Sequence, residues 1–330
     1  MKTPENSGGD GPAVSVVLPT HNRARLVGRS IRSVLQQTHA RFELLVVDDG
    51  SVDDTSEAVR AISDRRIRYL RNERAGGAAF ARNVGIRAAS PAEFLGFIDD
   101  DEWLPRKLER QIAVFREGPP DLAAVGCGRL DVGPGWTETI IPDHQGDVFE
   151  DLLARRARGY AAPLILVRRR PGVPDLLMDE QLPCLEDLDY ALRVARCGPF
   201  GLATDTLVRV HRDHGPTNLW SPAEAIRGYD LLARKYETEL ATRPEVRAYY
   251  EVCTVRELAL LGRLAECRSR LRRALQDSSR RFSLVAWYLT SFLGASALRA
   301  AIRLRPIQPP SSGRVARNLG ERPHSTRDGS

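Results

Sequence analysis

Short apolar runs alternate with helical patterns along the first hundred residues, and this alternation constrains the fold more than any other feature of the sequence. The spacing leaves room for a helix of about 10–15 residues between successive runs. Because parallel strands need a crossover connection, usually a helix, the pattern predicts an α/β fold with a mostly parallel sheet flanked by helices. The four strands predicted here are Val14–Pro19, Phe42–Val47, Ile67–Leu70 and Phe94–Ile98.

The remaining elements are predicted from the same patterns. Strands are expected at 122–127, 136–141, 162–168 and near 206–210. Helices are expected at 24–37, from Asp54 or Thr55 to about Ile62, at Gly77–Ala89, at 186–197 and over most of 221–305. The predicted organisation is a disordered N-terminus at 1–12, an α/β domain at 13–218, a helical C-terminal region at 219–305 and a disordered tail at 306–330.

The composition is that of a globular protein, with 42% hydrophobic and 28% charged residues. The five cysteines stand far apart without a Cys-x-x-Cys pair, which excludes a zinc ribbon and a disulfide scaffold and suits a reducing compartment. Residues 1–13 have no apolar core, so no secretory signal is visible. We therefore expect a cytoplasmic protein.

Polar clusters follow three of the predicted strands directly. Ligands of such sheets bind beyond the carboxyl ends of the strands, so the clusters should converge on one crevice. They are Pro19-Thr20-His21-Asn22, Asp48-Asp49-Gly50-Ser51 and Asp99-Asp100-Asp101.

The Asp99-Asp100-Asp101 cluster indicates a cation site. Three adjacent carboxylates repel one another unless a cation or solvent relieves the repulsion. Mg²⁺ or Mn²⁺ is the expected cation, because it binds oxygen ligands and keeps positions open for phosphate oxygens. The alternative is an acidic turn that is simply solvated.

Three further motifs have both a structural and a functional interpretation. Asp48-Asp49-Gly50-Ser51 is either a turn with a helix cap or a carboxylate that accepts hydrogen bonds from a base or ribose. Glu186-Asp187-Leu188-Asp189 either complements a helix dipole or supplies a general base. His211 or His214 is either a surface histidine or a group that joins the metal site or contacts a diphosphate.

A glycine-containing segment, Asn72–Asn83, opens the third predicted helix. Its glycines allow the backbone to approach a ligand closely, and Arg82 one turn later can reach a phosphate. The segment is neither a Gly-x-Gly-x-x-Gly fingerprint nor a phosphate loop that ends in Gly-Lys-Ser/Thr. Dinucleotide-binding and ATP-binding functions therefore lose their main support.

The order of these motifs closely resembles glycosyltransferase family 2 over roughly residues 14–215. The resemblance is carried by Val-Ser-Val-Val-Leu-Pro-Thr-His-Asn from Val14, by Glu43-Leu-Leu-Val-Val-Asp-Asp-Gly-Ser, by Gly77-x-x-x-Ala-Arg-Asn-x-Gly85, by Phe97-Ile-Asp-Asp-Asp-Glu-Trp-Leu-Pro105 and by Glu186-Asp187-x-Asp189. It implies a GT-A fold, a nucleotide-diphosphate sugar donor, a divalent metal, and transfer of the sugar to an acceptor hydroxyl with inversion.

The resemblance also implies roles for individual residues. Donor-nucleotide binding falls to Pro19, Thr20, His21, Asn22, Asp49, Arg82, Asp99 and Asp100. Asp99 and Asp101, with His211, are the expected metal ligands. Asp187 matches the base that deprotonates the acceptor, and Glu186 and Asp189 are expected on the acceptor side.

Two positions depart from the common family pattern. Many members have Tyr where this chain has His21, which offers less area for packing on a base. Many relatives have Gly-Phe-Asp-Glu where this chain has Leu177-Met178-Asp179-Glu180, which puts the geometry of the acceptor-side loop in doubt.

Two other functions remain as alternatives. A sugar nucleotidyltransferase would carry a glycine-rich loop after the first strand, and Thr20-His21-Asn22-Arg23 holds no glycine. A non-catalytic nucleotide-sugar-binding module would not need the intact carboxylates at 99–101 and 187. The expected function is therefore a transferase in cell-surface polysaccharide or glycolipid synthesis, with a saccharide or lipid-linked acceptor.

The positive charge of the chain is concentrated near its C-terminus. Residues 254–305 carry 11 arginines and 3 acidic residues, a net of +8, whereas residues 1–253 carry 34 basic and 38 acidic residues, a net of −4. This segment points to a negatively charged partner. Its aromatic residues all lie within one apolar stretch, so nucleic acid is not expected as that partner.

That stretch, Phe282–Leu298, holds 17 residues without a charge, fewer than the roughly 20 that span a membrane. One interpretation is a helix that packs on the catalytic domain. The other is a helix in the membrane interface, with arginines of 280–305 on anionic lipid and Trp287 and Tyr288 at headgroup depth. The second interpretation predicts a peripheral protein on the inner face of the plasma membrane.

Overall fold

A nine-stranded sheet forms the centre of the molecule, with the strand order β3-β2-β1-β4-β8-β6-β9-β5 and β7 paired to β6. The computed structural model describes residues 13–157, 159–170, 176–212, 221–279, 281–304, 306 and 308–310. The strands are β1 (Val14–Thr20), β2 (Phe42–Asp48), β3 (Ile67–Arg71), β4 (Phe94–Phe97), β5 (Glu102–Trp103), β6 (Ala124–Gly133), β7 (Trp136–Ile140), β8 (Leu166–Arg168) and β9 (Phe200–His211).

The first four strands form a parallel half-sheet that is covered on both faces. β1 lies between β2 and β4, and β3 pairs with the other side of β2. Alternate residues of β1 enter opposite clusters, because Val17 packs in one core and Val16 and Leu18 pack in the other. Buried strands of this kind are apolar on both faces, which explains the nearly continuous apolar runs in the sequence.

Helices connect these strands and provide the two covering layers. α1 and α4 pack on one face of the sheet, and α3 and α6 pack on the other. The helices of this part of the chain are α1 (Val27–Leu35), α2 (Thr55–Arg60), α3 (Ala78–Ala88), α4 (Lys107–Glu117), α5 (Phe149–Leu153) and α6 (Glu186–Ala195). The predicted α/β class with a mostly parallel sheet in its first half is confirmed.

The second half of the sheet is mixed, and here the predicted elements are less accurate. β8 is antiparallel to both β4 and β6, whereas β9 runs parallel to β6. Ala162–Leu164 form a 3₁₀ turn around Pro163, so the strand predicted at 162–168 is only β8. β9 starts well before 206, since Phe200–Ala203 pair with the first residues of β6 ahead of a register shift at Gly128.

The C-terminal region is helical, as predicted. A capping box between Ser221 and Glu224 starts its first helix. The helices are α7 (Pro222–Lys235), α8 (Glu237–Ala241), α9 (Pro244–Leu260), α10 (Leu264–Asp277), α11 (Arg281–Thr290) and α12 (Ala295–Leu304). None of the helices in the described part of the chain has the length and apolarity needed to cross a membrane. The termini predicted to be disordered, 1–12 and nearly all of 306–330, lie outside the described residues.

A buried carboxylate joins the C-terminal helices to the α/β domain. Asp189 of α6 is fully buried and accepts hydrogen bonds from Arg193 at 2.8 Å and from the hydroxyl of Tyr236 at 3.0 Å. Lys235 of α7 pairs with Asp189 at 2.9 Å and with Asp179 at 2.6 Å. The carboxylate of Asp189 thus stabilises the packing of α7 against α6.

Replacing Asp189 with alanine should destabilise the protein, because Lys235 and Arg193 would lose a buried counter-charge. We expect the free energy of unfolding to fall by about 3 kcal/mol, the scale for breaking a buried ion pair. The matched control is Asp205→Ala, which breaks an exposed pair with Arg110 and should cost less than about 1 kcal/mol. Urea denaturation followed by circular dichroism measures both variants, and equal losses would contradict the assignment.

Candidate active site

The carboxyl ends of β1, β2 and β4 meet at one edge of the sheet. Thr20 lies opposite Asp48 in the register, and the amide of Asp49 donates to the carbonyl of Thr20 at 2.8 Å. Val17 lies opposite Phe97, and the amide of Ile98 then donates to Val17 at 3.1 Å. The three polar clusters predicted from the sequence therefore follow strand ends that stand side by side.

The loop after β1 is fastened to the loop after β2. His21 Nδ1 lies 2.8 Å from the carbonyl oxygen of Asp49, and the Asn22 amide donates to Ser51 Oγ at 2.9 Å. Asn22 adopts a left-handed backbone with φ 53°, and its Oδ1 accepts from the amide of Val52 at 2.9 Å. The hydroxyl of Thr20 is buried and has no hydrogen-bond partner among the described residues.

Asp48 and Asp49, although adjacent, have different surroundings. Asp48 is fully buried and accepts from the Ser51 amide at 2.8 Å and from the Tyr69 hydroxyl at 2.6 Å. Burial alone would raise the pKa of Asp48, but these hydrogen bonds hold it below its ordinary value. The role of Asp48 is therefore to fix the turn after β2.

The Asp49 carboxylate holds the glycine-containing loop that precedes α3. It accepts hydrogen bonds from the amide of Gly76 at 2.9 Å, the amide of Gly77 at 2.8 Å and the Asn72 side chain at 2.8 Å. Gly77 has φ 91°, a conformation that favours glycine. A Cβ at Gly50 would lie 2.9 Å from the nitrogen of Ala75, so glycine allows the two loops to approach.

Arg82 of α3 connects the two sides of the crevice. Its Nη2 donates to both carboxylate oxygens of Asp99 at 2.7 and 2.9 Å, and its Nη1 donates to Glu186 at 2.8 Å. The side chain is 6% exposed. Burial opposes the charge of this guanidinium, but Asp99 and Glu186 raise the pKa of Arg82. The end of β4 and the start of α6 are thus held by one cation.

The other two residues of the acidic cluster differ in their partners. Asp100 pairs with Arg23 at 2.7 Å. The backbone carbonyl of Asp101 accepts from the Ser30 hydroxyl at 2.9 Å, but its carboxylate has no hydrogen bond or ion pair to another described residue. Burial, with the nearby charges of Asp99 and Asp100, raises the pKa of Asp101 to about 7, although Arg212 and Arg129 oppose the shift. Asp101 is therefore the member of the cluster whose charge is least compensated.

His211, at the end of β9, lies beside this cluster but is bonded elsewhere. Its Nε2 lies 3.0 Å from Glu102 Oε2, and the same carboxylate accepts from Arg209 at 3.2 Å. Within the described residues, no group of three or more His, Cys, Asp and Glu side chains could hold a metal ion. The expected ligands Asp99, Asp101 and His211 are thus not assembled into a three-ligand site, and His214 lies outside the described residues.

Asp187 stands in the first turn of α6, across the crevice from the acidic cluster. The helix starts after Leu185, which has a left-handed backbone with φ 64°, and the Leu188 amide donates to Asp187 Oδ1 at 2.8 Å. Burial and the charge of Glu186 raise the pKa of Asp187 to about 6, while Arg82 and Arg155 oppose the shift. A carboxylate of this kind can accept a proton near neutral pH.

Glu186 and Asp189 were expected on the acceptor side, and the structure uses both in internal contacts. Glu186 pairs with Arg82, and Asp189 points into the α6–α7 contact described above. Asp189 is not on the same side of the helix as Asp187, because an α-helix has 3.6 residues per turn and residues two positions apart point in different directions. Asp189 therefore faces the core. The sequence contained the signal in the buried neighbours of Asp189, Tyr190 and Leu192.

Asn83, which was not among the predicted site residues, holds the loop that departs from the family pattern. Asn83 is buried and exchanges hydrogen bonds with the backbone of Met178, at 2.9 Å to its carbonyl and 2.7 Å from its amide. Its Nδ2 also donates to Glu180 at 2.7 Å. The backbone of this loop is therefore fixed without the usual glycine, and the Ala81-Arg82-Asn83 motif was the available signal.

Comparison with known proteins adds a family relationship to this geometry. The family model "Glycosyl transferase family 2" matches residues 15–161. The putative colanic acid biosynthesis glycosyl transferase WcaA of Escherichia coli K12 is 39% identical over 232 residues, which cover 69% of this chain and 82% of WcaA. A second relative is the UDP-Glc:alpha-D-GlcNAc-diphosphoundecaprenol beta-1,3-glucosyltransferase WfgD of Escherichia coli. It is 47% identical over 107 residues, 32% of this chain and 42% of the length of WfgD.

Solved structures share the fold. Residues 1–349 of S. aureus TarS, in complex with UDP-GlcNAc, superpose with a TM-score of 0.63 over 88% of this chain and 90% of that one. The sequence identity of the pair is 17%, so this similarity concerns the fold alone.

The contact between Asp49 and the Gly76–Gly77 amides can be tested by hydrogen exchange. In Asp49→Ala both amides lose a charged acceptor, and we expect their exchange to accelerate by at least about tenfold, the scale of a hydrogen bond to a charged group. Asp53→Ala is the matched control, because Asp53 binds the Ala24 amide and Thr55 in the neighbouring loop. Unchanged exchange at residues 76 and 77 in Asp49→Ala would show that the contact does not hold the loop.

Proposed function

The chain belongs to glycosyltransferase family 2, and from this membership we propose that it transfers a sugar from a nucleotide-diphosphate donor to an acceptor hydroxyl, with inversion and with a divalent metal. One observation carries the proposal. Arg82 pairs with Asp99 of the acidic cluster and with Glu186, the chain neighbour of Asp187, so one guanidinium joins the acidic cluster to the start of α6, where Asp187 has a raised pKa. Neither a binding module nor a nucleotidyltransferase is favoured by any specific contact of the described residues.

The donor nucleotide is proposed to lie over the ends of β1 and β2. Pro19, Thr20, His21 and Asn22 form the loop against which the nucleoside would rest. The buried hydroxyl of Thr20 supports this placement, because an unpaired buried polar atom is costly and a ligand could satisfy it. The oxygens of Asp49 already accept from the Gly76 and Gly77 amides, so a base N–H would share or replace these donors.

The diphosphate is proposed to lie beside Asp99–Asp101 with Mg²⁺ or Mn²⁺. Such ions are usually held by one or two carboxylates together with substrate phosphates and water, so a protein site with fewer than three ligands fits them. Asp101, whose pKa is raised and whose carboxylate has no partner among the described residues, is the first candidate ligand, and Asp99 is the second. When bound, the cation neutralises charge that develops on the leaving diphosphate. His211, whose Nε2 lies 3.0 Å from Glu102, is the third candidate, because a histidine ligand commonly keeps its other ring nitrogen on a carboxylate.

Asp187 is proposed to take the proton from the acceptor hydroxyl as the new glycosidic bond forms. An inverting transfer needs its base opposite the leaving group, and Asp187 belongs to a chain segment separate from the acidic cluster. Because its pKa is about 6, it is a stronger base than an ordinary aspartate and is still ionised at neutral pH. Arg82, which contacts both Asp99 and Glu186, would fix the distance between the two reacting sides.

The acceptor is proposed to be a saccharide or a lipid-linked saccharide used in cell-surface polysaccharide or glycolipid synthesis. The colanic acid assignment of WcaA and the diphosphoundecaprenol acceptor of WfgD support this class. A lipid-linked acceptor would bring the enzyme to the cytoplasmic face of the membrane, in agreement with the basic segment 280–305.

A screen of nucleotide sugars for donor hydrolysis tests the proposed function. We expect one donor to be hydrolysed with Mn²⁺ or Mg²⁺ and not in excess chelator. Asp101→Asn should abolish this turnover while the circular dichroism spectrum stays unchanged. The control Asp121→Asn removes an exposed carboxylate outside the crevice and should leave turnover unchanged. Full activity in chelator would refute the metal, and no hydrolysis of any donor would count against the transferase itself.

Replacing the proposed base tests the acceptor side. Asp187→Asn should lower kcat by at least about 10²-fold, the usual scale for a general base, with little change in donor affinity. At saturating metal, where a bound cation would keep Asp101 ionised, the base must still be deprotonated, so kcat should fall about tenfold per pH unit below pH 6, where Asp187 is protonated. The variant should lack this acid limb. A near-normal kcat with the limb retained would place the base elsewhere, and Glu186 would be the next candidate.

A further inference from the structure

The helix α11 is apolar on two opposite faces, and only one of them is covered by described residues. Its inner face packs in a cluster with α9, α10 and α12, where Leu284 is 1% and Trp287 3% exposed. Trp287, which one of the two interpretations of the sequence puts at headgroup depth, is instead buried, so that part of the interpretation is wrong. The alternative of packing on the catalytic domain is also only partly right, since the contacts are with other C-terminal helices.

The opposite side, which we call the outer face, exposes five large apolar side chains. They follow one another at spacings of about one helical turn and continue into the 3₁₀ turn Ser291–Leu293. A large exposed apolar patch on a soluble domain marks an interaction site. The residues and their exposed fractions are Phe282 75%, Val285 41%, Leu289 60%, Phe292 62% and Leu293 78%.

Arginines lie beside the outer face at Arg268 and on the helices α10 and α12 that pack against α11, and the segment of the face has no acidic residue. Residues 278–305 contain five arginines and no Asp or Glu. The guanidinium of Arg268 lies 4.8 Å from the ring centroid of Phe292. Arg272 and Arg303 are exposed and form no ion pair with another described residue. The patch is therefore apolar at its centre and positively charged at its edge.

The geometry of this segment fits a surface position and excludes a spanning one. The apolar run of the sequence is divided at Gly294, which has φ 110° and separates the 3₁₀ turn from α12. α11 has 10 residues, about half the length that crosses a bilayer. A short helix with an apolar outer face and a basic border is typical of segments that lie in the membrane interface.

We propose that the outer face of α11 inserts into the headgroup region of an anionic lipid bilayer, with the bordering arginines on lipid phosphates. A second copy of the chain fits the outer face less well than a bilayer does. In a two-fold dimer through this face, the surface with Arg268, Arg272 and Arg303 would meet the same surface of the other copy, and the arginines would have no acidic partner there. An anionic surface complements both the apolar centre and the positive edge. This proposal does not depend on the donor, the metal or the base.

Vesicle flotation of the full chain without donor tests the proposal. Wild-type protein should float with vesicles of phosphatidylcholine and phosphatidylglycerol at low salt, and bind pure phosphatidylcholine at least about tenfold more weakly. Leu289→Ser with Phe292→Ser should reduce binding to anionic vesicles by at least about tenfold, the scale of one large apolar side chain. Trp136→Ser is the matched control, because Trp136 is 47% exposed on β7, and it should bind as the wild type does.

The arginines are tested separately. Arg272→Gln with Arg303→Gln should weaken binding by about fivefold for each arginine near the surface, which corresponds to roughly 1 kcal/mol. Arg116→Gln, an exposed arginine of α4, should have no effect. Circular dichroism and donor hydrolysis establish that each variant is folded.

Three results would overturn the proposal. The first is wild-type protein that ignores anionic vesicles at low salt. The second is a Leu289→Ser, Phe292→Ser variant that is folded and binds as the wild type does. The third is a wild-type dimer in sedimentation that this variant abolishes, without vesicle binding, which would make the outer face a contact between copies.

Discussion

The ion-pair bridge of Arg82 is the contact on which the rest of the site depends. A buried guanidinium is costly unless its charge is compensated, and Arg82 obtains its compensation from Asp99 at the end of β4 and Glu186 at the start of α6. These two elements lie far apart in the chain and carry the two halves of the proposed chemistry. Because one planar guanidinium contacts both, its two ion pairs hold the end of β4 and the start of α6 close to each other.

The same bridge explains how aspartates in one crevice have different acidities. Arg82 compensates Asp99 directly, whereas Asp101 is partly buried beside two other carboxylates and has a pKa of about 7. Asp187 is partly buried next to Glu186, whose charge is already paired with Arg82. Perturbed acidities of this kind are what metal binding and proton transfer require. Asp48 is the opposite case. Hydrogen bonds lower its pKa, and its contacts hold the turn after β2.

The sequence predicted the fold and the neighbourhood of the site, because both depend on local patterns. Apolar runs identify β1, β2 and β4, and parallel pairing then brings their polar ends together. The sequence alone could not predict which residues individual side chains contact. Asp189, His211 and Trp287 each looked available, yet each is occupied by residues distant in the chain, such as Lys235, Glu102 and the α9–α10 helices. The start of β9 was also missed, since pairing with β6 rather than local pattern decides it.

The most direct test of the account is the anomeric configuration of the product, read by NMR from the coupling of the anomeric proton. One carboxylate opposite a leaving diphosphate allows a single displacement, so an α-linked donor should give a β-linked product. An α-linked product would contradict the account, because retention needs either two displacements or attack from the side of the leaving group, and neither uses Asp187 as a base opposite the diphosphate.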